Sequence, residues 1–160
     1  LDNTQEYNRL GKNDPSLDMY GYKQTGIAFE QIFNRDIESG EMSENSILIG
    51  SNWFPLANFD YYAATPLGIN SFGFGDLSKI HKYAWINNQQ GGYKLGMDAY
   101  YLTDSKEYNE PNNAYKSHFE KVIPADTIQI IRNGTIAKRV FVYKMKNLTT
   151  IPVDVLESNK

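Results

Sequence analysis

A short apolar run that ends in glycine and precedes a proline constrains the fold of this chain more than any other feature. Residues Ile47 to Ile49 are all apolar, and they lead into Gly50-Ser51 and then Pro55. An unbroken apolar run of this length is typical of a strand that is buried on both faces, as in a parallel sheet. Proline is tolerated in the first turn of a helix, because its missing N–H would be unpaired there anyway. The stretch therefore predicts a strand and a helix that together form the first half of a βαβ unit.

Similar patterns occur on both sides of this unit. A helix is predicted over residues 20–39, because its apolar residues fall on one stripe and Gly40 can close it in the left-handed conformation. Strands are predicted at 69–74 and 98–103. Two further helices are predicted, one from Asp76 to Gly91-Gly92 and a short one that contains Tyr115, Phe119 and Val122 and is stopped by Pro124.

Two strand-like runs near the C-terminal end are joined by Asn133-Gly134. The runs cover 127–132 and 135–146. Asn-Gly is the strongest short-range signal for a type I′ hairpin turn, in which both residues need positive φ. Strands alternating with helices, followed by a hairpin, predict a three-layer α/β sandwich with a mainly parallel sheet and a C-terminal antiparallel hairpin.

The length and charge of the chain limit its organisation and its partners. A chain of 160 residues predicts one domain. We divide it into a polar lead-in over 1–18, a single α/β domain over 19–146, and a C-terminal tail or edge strand over 147–160. A net charge of -3 gives no reason to expect a nucleic-acid partner. The start at Leu1, without a signal-peptide pattern, indicates a removed leader or a piece of a longer protein.

The sequence does not assemble a catalytic constellation. The Gly73-Phe74-Gly75 turn has Ser78 where a dinucleotide loop needs its third glycine, and Ser51 lacks the flanking glycines of a nucleophile elbow. With no cysteine and only His81 and His118, the chain offers too few ligands for zinc. A carboxylate site for magnesium or calcium stays open, although no dense acidic loop indicates one. We therefore predict no catalytic residue, no cofactor and no metal.

Ligand binding is predicted at the carboxyl ends of the strands. In open α/β sheets, ligands lie in the crevice beyond those ends, where the connections diverge. The candidate ligand-binding residues there are Asn52, Trp53, Asp76 and Asp104. Their amide, carboxylate and indole groups suit a hydroxyl-rich ligand or an acceptor chain. The alternative is that Asn52 and Asp76 only cap their helices.

Three stretches of the chain resemble a known family. The segment Asp14-Pro15-Ser16-Leu17-Asp18-Met19-Tyr20-Gly21-Tyr22 resembles the Asp-Pro-Thr…Gly-Trp stretch after the last membrane helix of many bacterial polyprenyl-phosphate sugar transferases. That family includes the protein O-mannosyltransferases and the aminoarabinose transferases of lipid A. Phe59-Asp60-Tyr61-Tyr62 is similar to the aromatic pair that ends a helix in the family's soluble tail, and the pattern Asp76, Tyr83, Trp85 and Gly91-Gly92 is also similar.

The resemblance covers residues 14–145 and implies a function. It implies a non-catalytic C-terminal domain of a membrane glycosyltransferase, located at the extracytoplasmic, periplasmic face of the bacterial inner membrane. The family's catalytic carboxylate lies in an early loop between membrane helices, so no catalytic residue is carried over and the chain is expected to be inactive alone. The implied partners are the transmembrane part of the parent chain and a glycan or lipid-linked sugar. Two alternatives stay open: a stand-alone flavodoxin-like α/β domain that binds a small molecule, and a secreted interaction module with an aromatic surface.

Overall fold

A computed structural model describes residues 7–111 and 113–158 and shows a mixed α/β fold. The strands are β1 Ile47–Gly50, β2 Ser71–Gly73, β3 Ala99–Asp104, β4 Phe119–Arg132 and β5 Thr135–Leu148. The helices are α1 Tyr22–Ser39, α2 Trp53–Phe59, α3 Leu77–Ile80, α4 Tyr83–Gln89 and α5 Asn113–His118. The strands form one open sheet in the order β2-β1-β3-β5-β4.

Strand β1 lies at the centre of the parallel part of the sheet. It pairs in parallel with β2 on one side and with β3 on the other, and all four of its residues are buried. This confirms the buried parallel strand that the apolar run predicts. Helix α1 is confirmed as well, since Phe29, Ile32 and Phe33 are buried and Gly40 closes the helix at φ 72°.

Helix α2 changes its geometry before it ends. It passes from α-helix into a π-helical turn, Asp60–Ala64, and then into a 3-10 turn, Thr65–Leu67. The Asp60 carboxylate accepts hydrogen bonds from the hydroxyls of Ser71 at 2.7 Å and Tyr83 at 3.3 Å, and so ties the π-helical turn to β2 and α4. Helix α1 packs closely on this turn at Gly26, where a Cβ atom would lie 2.1 Å from the Tyr62 carbonyl oxygen. Only glycine fits at that contact.

The C-terminal strands make the sheet mixed rather than mainly parallel. Strand β5 is antiparallel to both β3 and β4, so two of the four strand pairings are parallel and two are antiparallel. Between β4 and β5, Asn133 has φ 53° and Gly134 has φ 76°, the positive values that a type I′ turn requires. The pairing of Arg132 with Thr135 closes the turn. The antiparallel share is large because β4 and β5 are each 14 residues long.

The short helix predicted around Tyr115 ends earlier than expected. Helix α5 stops at His118, and Phe119, Val122 and Pro124 belong to β4. Proline, which cannot donate a ladder hydrogen bond, is tolerated here because β4 is an edge strand. The strand register shifts between Pro124 and Asp126, at the same point. The prediction of a helix stopped by this proline is therefore wrong.

Apolar clusters lie on both faces of the sheet. The larger one joins α1, α2, α3 and α4 to residues such as Leu48, Tyr100 and Val142. The other contains Ile49, Tyr101 and Met145, and α5 covers it with Tyr115.

The segments at the two ends of the described chain also contact the sheet domain. In the lead-in, a 3-10 turn, Pro15–Leu17, buries Leu17. After β5, residues 149–158 form turns and no strand, and Val155 and Leu156 pack against the larger cluster. Within the described ranges, no helix has the length and apolar character that crossing a membrane requires.

Candidate functional site

A cleft lies where the connections from β1 diverge. From β1 the chain proceeds to β2 on one side, and the next strand, β3, lies on the opposite side of β1. The carboxyl ends of β1 and β3 border a cavity of about 530 Å³ at this point. This is the place where open α/β sheets bind ligands, and the cavity volume lies within the common range for small-molecule sites.

Asparagine 109 organises the polar side of the cleft. Its side-chain amide donates to the Ser51 hydroxyl at 3.1 Å, and its backbone N–H donates to the Thr103 hydroxyl at 2.9 Å. The Tyr101 hydroxyl donates to the Asn109 carbonyl at 2.7 Å. All four residues line the cavity. The loop after β3 is thus fixed to the ends of β1 and β3, and it presents amide and hydroxyl groups to the cleft.

The opposite side of the cleft is apolar. Leu48, Leu56 and Phe59 are buried in its wall, while Met19 and Phe54 are exposed at its mouth. A polar side facing an apolar wall is the usual composition of a site for a small organic ligand, since the apolar groups supply contact area and the polar groups fix orientation.

A buried ion pair forms part of the floor. The Asp104 carboxylate lines the cavity and lies 3.2 Å from the Lys138 ammonium, whose side chain is 2% exposed. Lys138 also donates to the Leu17 carbonyl at 3.2 Å and lies 5.0 Å from the centre of the Tyr22 ring. Burial, and next the Asp104 charge, raise the pKa of Tyr22, so its phenol stays neutral.

A second ion pair crosses the mouth of the cleft. The Lys106 ammonium lies 2.8 Å from the Asp18 carboxylate, which joins the loop after β3 to the lead-in segment. The hydrogen bond to Asp18 raises the pKa of Lys106. Both residues line the cavity, together with Glu107.

Two of the four predicted site residues meet at the cleft. Asn52 and Asp104 both line it. Asn52 also caps α2, since its side-chain oxygen accepts the Phe54 N–H at 3.3 Å, and Asp104 accepts the Glu107 N–H at 2.8 Å. The capping alternative is therefore correct for Asn52, although capping leaves its amide nitrogen available to a ligand.

The other two predicted residues lie outside the lining of the cleft. Trp53 is 41% exposed and contacts the rings of Phe54 and His81. Asp76 is exposed at the start of α3 and makes no side-chain capping hydrogen bond. Asp76 lies outside the cleft because it follows β2, and β2 pairs with the edge of β1 that faces away from β3. Ligand binding by these residues stays a prediction.

Sequence reasoning missed Asn109 and Lys138, and it included Thr103 only as a neighbour of Asp104 at a strand end. Asn109 lies in a polar loop with no motif, and only the fixed position of that loop gives its side chain a role. Lys138 alternates with apolar residues on β5, but nothing local distinguishes a buried lysine from an exposed one. The sequence signal that could have identified Thr103 as a cleft residue is its position beside Asp104 at the end of a predicted strand.

Neither histidine belongs to the cleft. His81 contacts Trp53, and His118 lies against the Phe74 ring on a different part of the sheet. In the ranges 7–111 and 113–158, no group of three His, Asp or Glu side chains is placed to hold a metal ion.

Comparisons with protein-family models, with curated proteins and with solved structures found no match to this chain.

Proposed function

We propose that this chain is a non-catalytic extracytoplasmic domain of a membrane glycosyltransferase, and that its cleft contacts a sugar. The parent enzyme would move sugar from a polyprenyl-phosphate donor to a lipid, glycan or protein acceptor. The observation that carries the proposal is the cleft between β1 and β3, which opposes amide and hydroxyl groups to an apolar wall. A sugar ring presents the same two kinds of surface, hydroxyls at its edge and C–H groups on its faces.

The polar groups of the cleft have hydrogen-bonding capacity left for a ligand. The Ser51 hydroxyl accepts from Asn109 and can still donate, and the Asn52 amide nitrogen makes no hydrogen bond to any described residue while its oxygen caps α2. The apolar wall at Phe54 and Leu56 lies across from them in the same cavity. This arrangement supports recognition of a neutral polyhydroxyl ring.

The cleft carboxylates favour a non-catalytic role. Asp104 is paired with Lys138 and Asp18 with Lys106, and within residues 7–111 and 113–158 neither carboxylate has a hydrogen bond to a histidine, serine or threonine. In this proposal the transmembrane part of the parent chain supplies the reacting groups, and this domain contacts the substrate at the extracytoplasmic face of the membrane. The same proposal includes the finer description of the fold as a three-layer sandwich with a C-terminal hairpin, which the apolar clusters on both sheet faces support.

A stand-alone flavodoxin-like domain is the second candidate. The order β2-β1-β3 is the one with which flavodoxin-like sheets begin, and the cleft lies at the same β1/β3 switch point where those proteins hold FMN. Titration with FMN separates the candidates, because binding of the flavin quenches its fluorescence. We expect no quenching at micromolar protein.

The parent gene and the purified chain together test the first candidate. We expect the coding sequence upstream of Leu1 to encode roughly ten hydrophobic spans, each about 20 residues long. The purified 160 residues should transfer no sugar from a polyprenyl phosphate. Saturable transfer by the purified chain, or an upstream sequence with only a cleavable leader, would contradict the proposal.

A further inference from the structure

We infer that the cleft accepts an uncharged sugar unit and rejects a phosphate group. This inference rests on the proposed function and specifies it. Under this inference the domain contacts the acceptor glycan or the transferred sugar, and it does not contact the phosphate end of the lipid donor.

The ammonium group nearest the floor is fully engaged. Lys138 contacts the Asp104 carboxylate, the Leu17 carbonyl and the face of the Tyr22 ring. Its side chain is only 2% exposed, so a phosphate in the cavity cannot reach it without displacing Asp104.

The charge at the mouth is also unfavourable to an anion. Lys106 is held by Asp18 at 2.8 Å, and it is the only cation among the described residues that line the cavity. The lining carboxylates are Asp18, Asp104 and Glu107. Across residues 7–111 and 113–158, no cation lies within ion-pair distance of Glu107. A phosphate would therefore meet an excess of negative charge, which opposes its binding.

The start of α2 offers few N–H groups to an anion. Phosphate-binding loops use several unpaired N–H groups at a helix start. Here the Phe54 N–H is taken by the Asn52 side chain, the Leu56 N–H by the Asn52 carbonyl, and Pro55 has no N–H. Two N–H groups at this helix start are therefore engaged, and a third position has none to offer.

The groups of the cleft that remain available to a ligand are neutral. The Ser51 hydroxyl lines the cavity, and among the described residues the buried Tyr115 hydroxyl has no hydrogen-bond partner. Burial raises the pKa of Tyr115, and the adjacent Ser51 hydroxyl opposes that rise. A buried hydroxyl that lacks a partner is costly, because it has lost its contact with water. The Ser51 hydroxyl, which accepts from Asn109, can donate to a ligand hydroxyl.

Matched sugars with and without phosphate test the inference. The probes are mannose, galactose, glucose and N-acetylglucosamine, each beside its own 1-phosphate, added to the ¹⁵N-labelled chain and followed by amide chemical shifts. We expect at least one neutral sugar to shift the amides of Ser51, Thr103 and Asn109, and to bind about ten-fold or more tightly than its 1-phosphate.

A charge variant sharpens the comparison. Asp18→Asn releases Lys106, so the ratio of neutral-sugar to sugar-phosphate affinity should fall by at least about three-fold. Asp14→Asn is the matched control, because Asp14 is also an exposed carboxylate next to a cation, Arg132, but does not line the cleft. The control should leave the ratio at its wild-type value.

The outcomes separate the inference from the proposed function. If a sugar 1-phosphate binds the wild-type cleft as tightly as its neutral sugar, or if Asp18→Asn leaves the ratio unchanged, the inference is wrong while the sugar-binding role survives. If no probe shifts the cleft amides, the sugar-binding role fails and the inference fails with it.

Discussion

Strand β5 carries two buried lysines on the same face, and they are used differently. Lys138 and Lys144 are six positions apart, and an even spacing places both on the face that α1 covers. Each pairs with an aspartate, Lys138 with Asp104 and Lys144 with Asp36. The two pairs lie on one strand and under one helix, so their differences report on their surroundings.

The Lys144 pair is closed to solvent and has many partners. Asp36 is completely buried and accepts hydrogen bonds from Tyr100 at 2.9 Å and from Arg35 at 3.0 Å, beside the Lys144 ammonium at 3.0 Å. Burial raises the pKa of Asp36, but hydrogen bonds from Lys144, Tyr100 and Arg35 together outweigh it and lower the pKa below its ordinary value. This pair joins α1 to β3 and β5.

The Lys138 pair borders the cleft and has fewer partners. Asp104 is 11% exposed and has one additional donor, the Glu107 N–H. The same arrangement, a lysine on β5 paired with an aspartate, thus joins α1 to the sheet in one place and borders the cleft, through Asp104, in the other. Stability should therefore depend more on the first pair, and ligand preference more on the second.

The largest effect is expected from Asp36→Ala. It leaves the buried Lys144 paired with the exposed Glu41 carboxylate, 3.1 Å away, so the loss should lie at the lower end of the about 3–5 kcal/mol that breaking a buried pair from one side costs in the free energy of unfolding. Urea denaturation measures it, with Asp126→Ala as a control that removes an exposed partner of Arg35. A loss below about 1 kcal/mol, the range of surface pairs, would show that the network is not a structural clamp.

A smaller loss, about 2 kcal/mol, is expected from Asp104→Ala. Lys138 keeps the Leu17 carbonyl and the Tyr22 ring, and the adjacent cleft gives the ammonium access to water. The same denaturation experiment measures it. If Asp104→Ala and Asp36→Ala prove equally destabilising, the distinction between the two pairs is wrong.

A still smaller loss, more than about 1 kcal/mol, is expected from Gly134→Val, because a β-branched residue resists positive φ. The turn at Asn133-Gly134 sets the register of β5, and therefore the positions of both lysines. The denaturation midpoint should fall at an unchanged slope, while Thr135→Val, a neighbouring exposed position in the strand, should stay near wild type. An unchanged midpoint for Gly134→Val would place the turn elsewhere.

The smallest effect is expected on the pH dependence of stability. In the folded protein the pKa of Asp36 is below its ordinary value of 3.8, so the unfolded chain takes up the proton first as the pH falls. The contribution of Asp36 is therefore present above about pH 4 and is lost as the pH falls through the lower, folded pKa. Unfolding measured between pH 5 and pH 2 should show a shallower acid loss for Asp36→Asn than for the wild type. Parallel curves would assign the acid sensitivity to other carboxylates.

Local signals predicted the elements that depend on local physics. The apolar run of β1, the stripe and glycine cap of α1, and the Asn-Gly turn are each set by neighbouring residues, and the structure contains all of them. The end of α5 was missed because Pro124 breaks a helix but is harmless in an edge strand, and the sequence does not show which strand is at the edge. The π-helical turn after α2 carried no signal.

A cleft lies at the strand ends that the sequence pointed to, two of the four named residues line it, and ligand binding there stays a prediction. The topology rule gave the strand ends and hence Asn52 and Asp104, but Asp76 follows a strand on the wrong side of β1. Asn109 and Lys138 were missed because their partners, Ser51 and Leu17, are distant in sequence. Such pairings are known only once the sheet order is known.

The most direct test of the central claim is sugar transfer by the parent transferase carrying Asn109→Ala. Asn109 fixes the polar side of the cleft, whereas Asn58, the matched control, donates to the Phe54 carbonyl at 3.0 Å and does not line the cavity. At equal membrane abundance, we predict that Asn109→Ala lowers kcat/KM by about ten-fold or more, while Asn58→Ala stays within about two-fold of wild type. The isolated domains carrying the two changes should unfold at similar urea concentrations. Equal transfer by both variants and the wild type, or a loss that follows only the stability of the domain, would contradict a role for this cleft in sugar transfer.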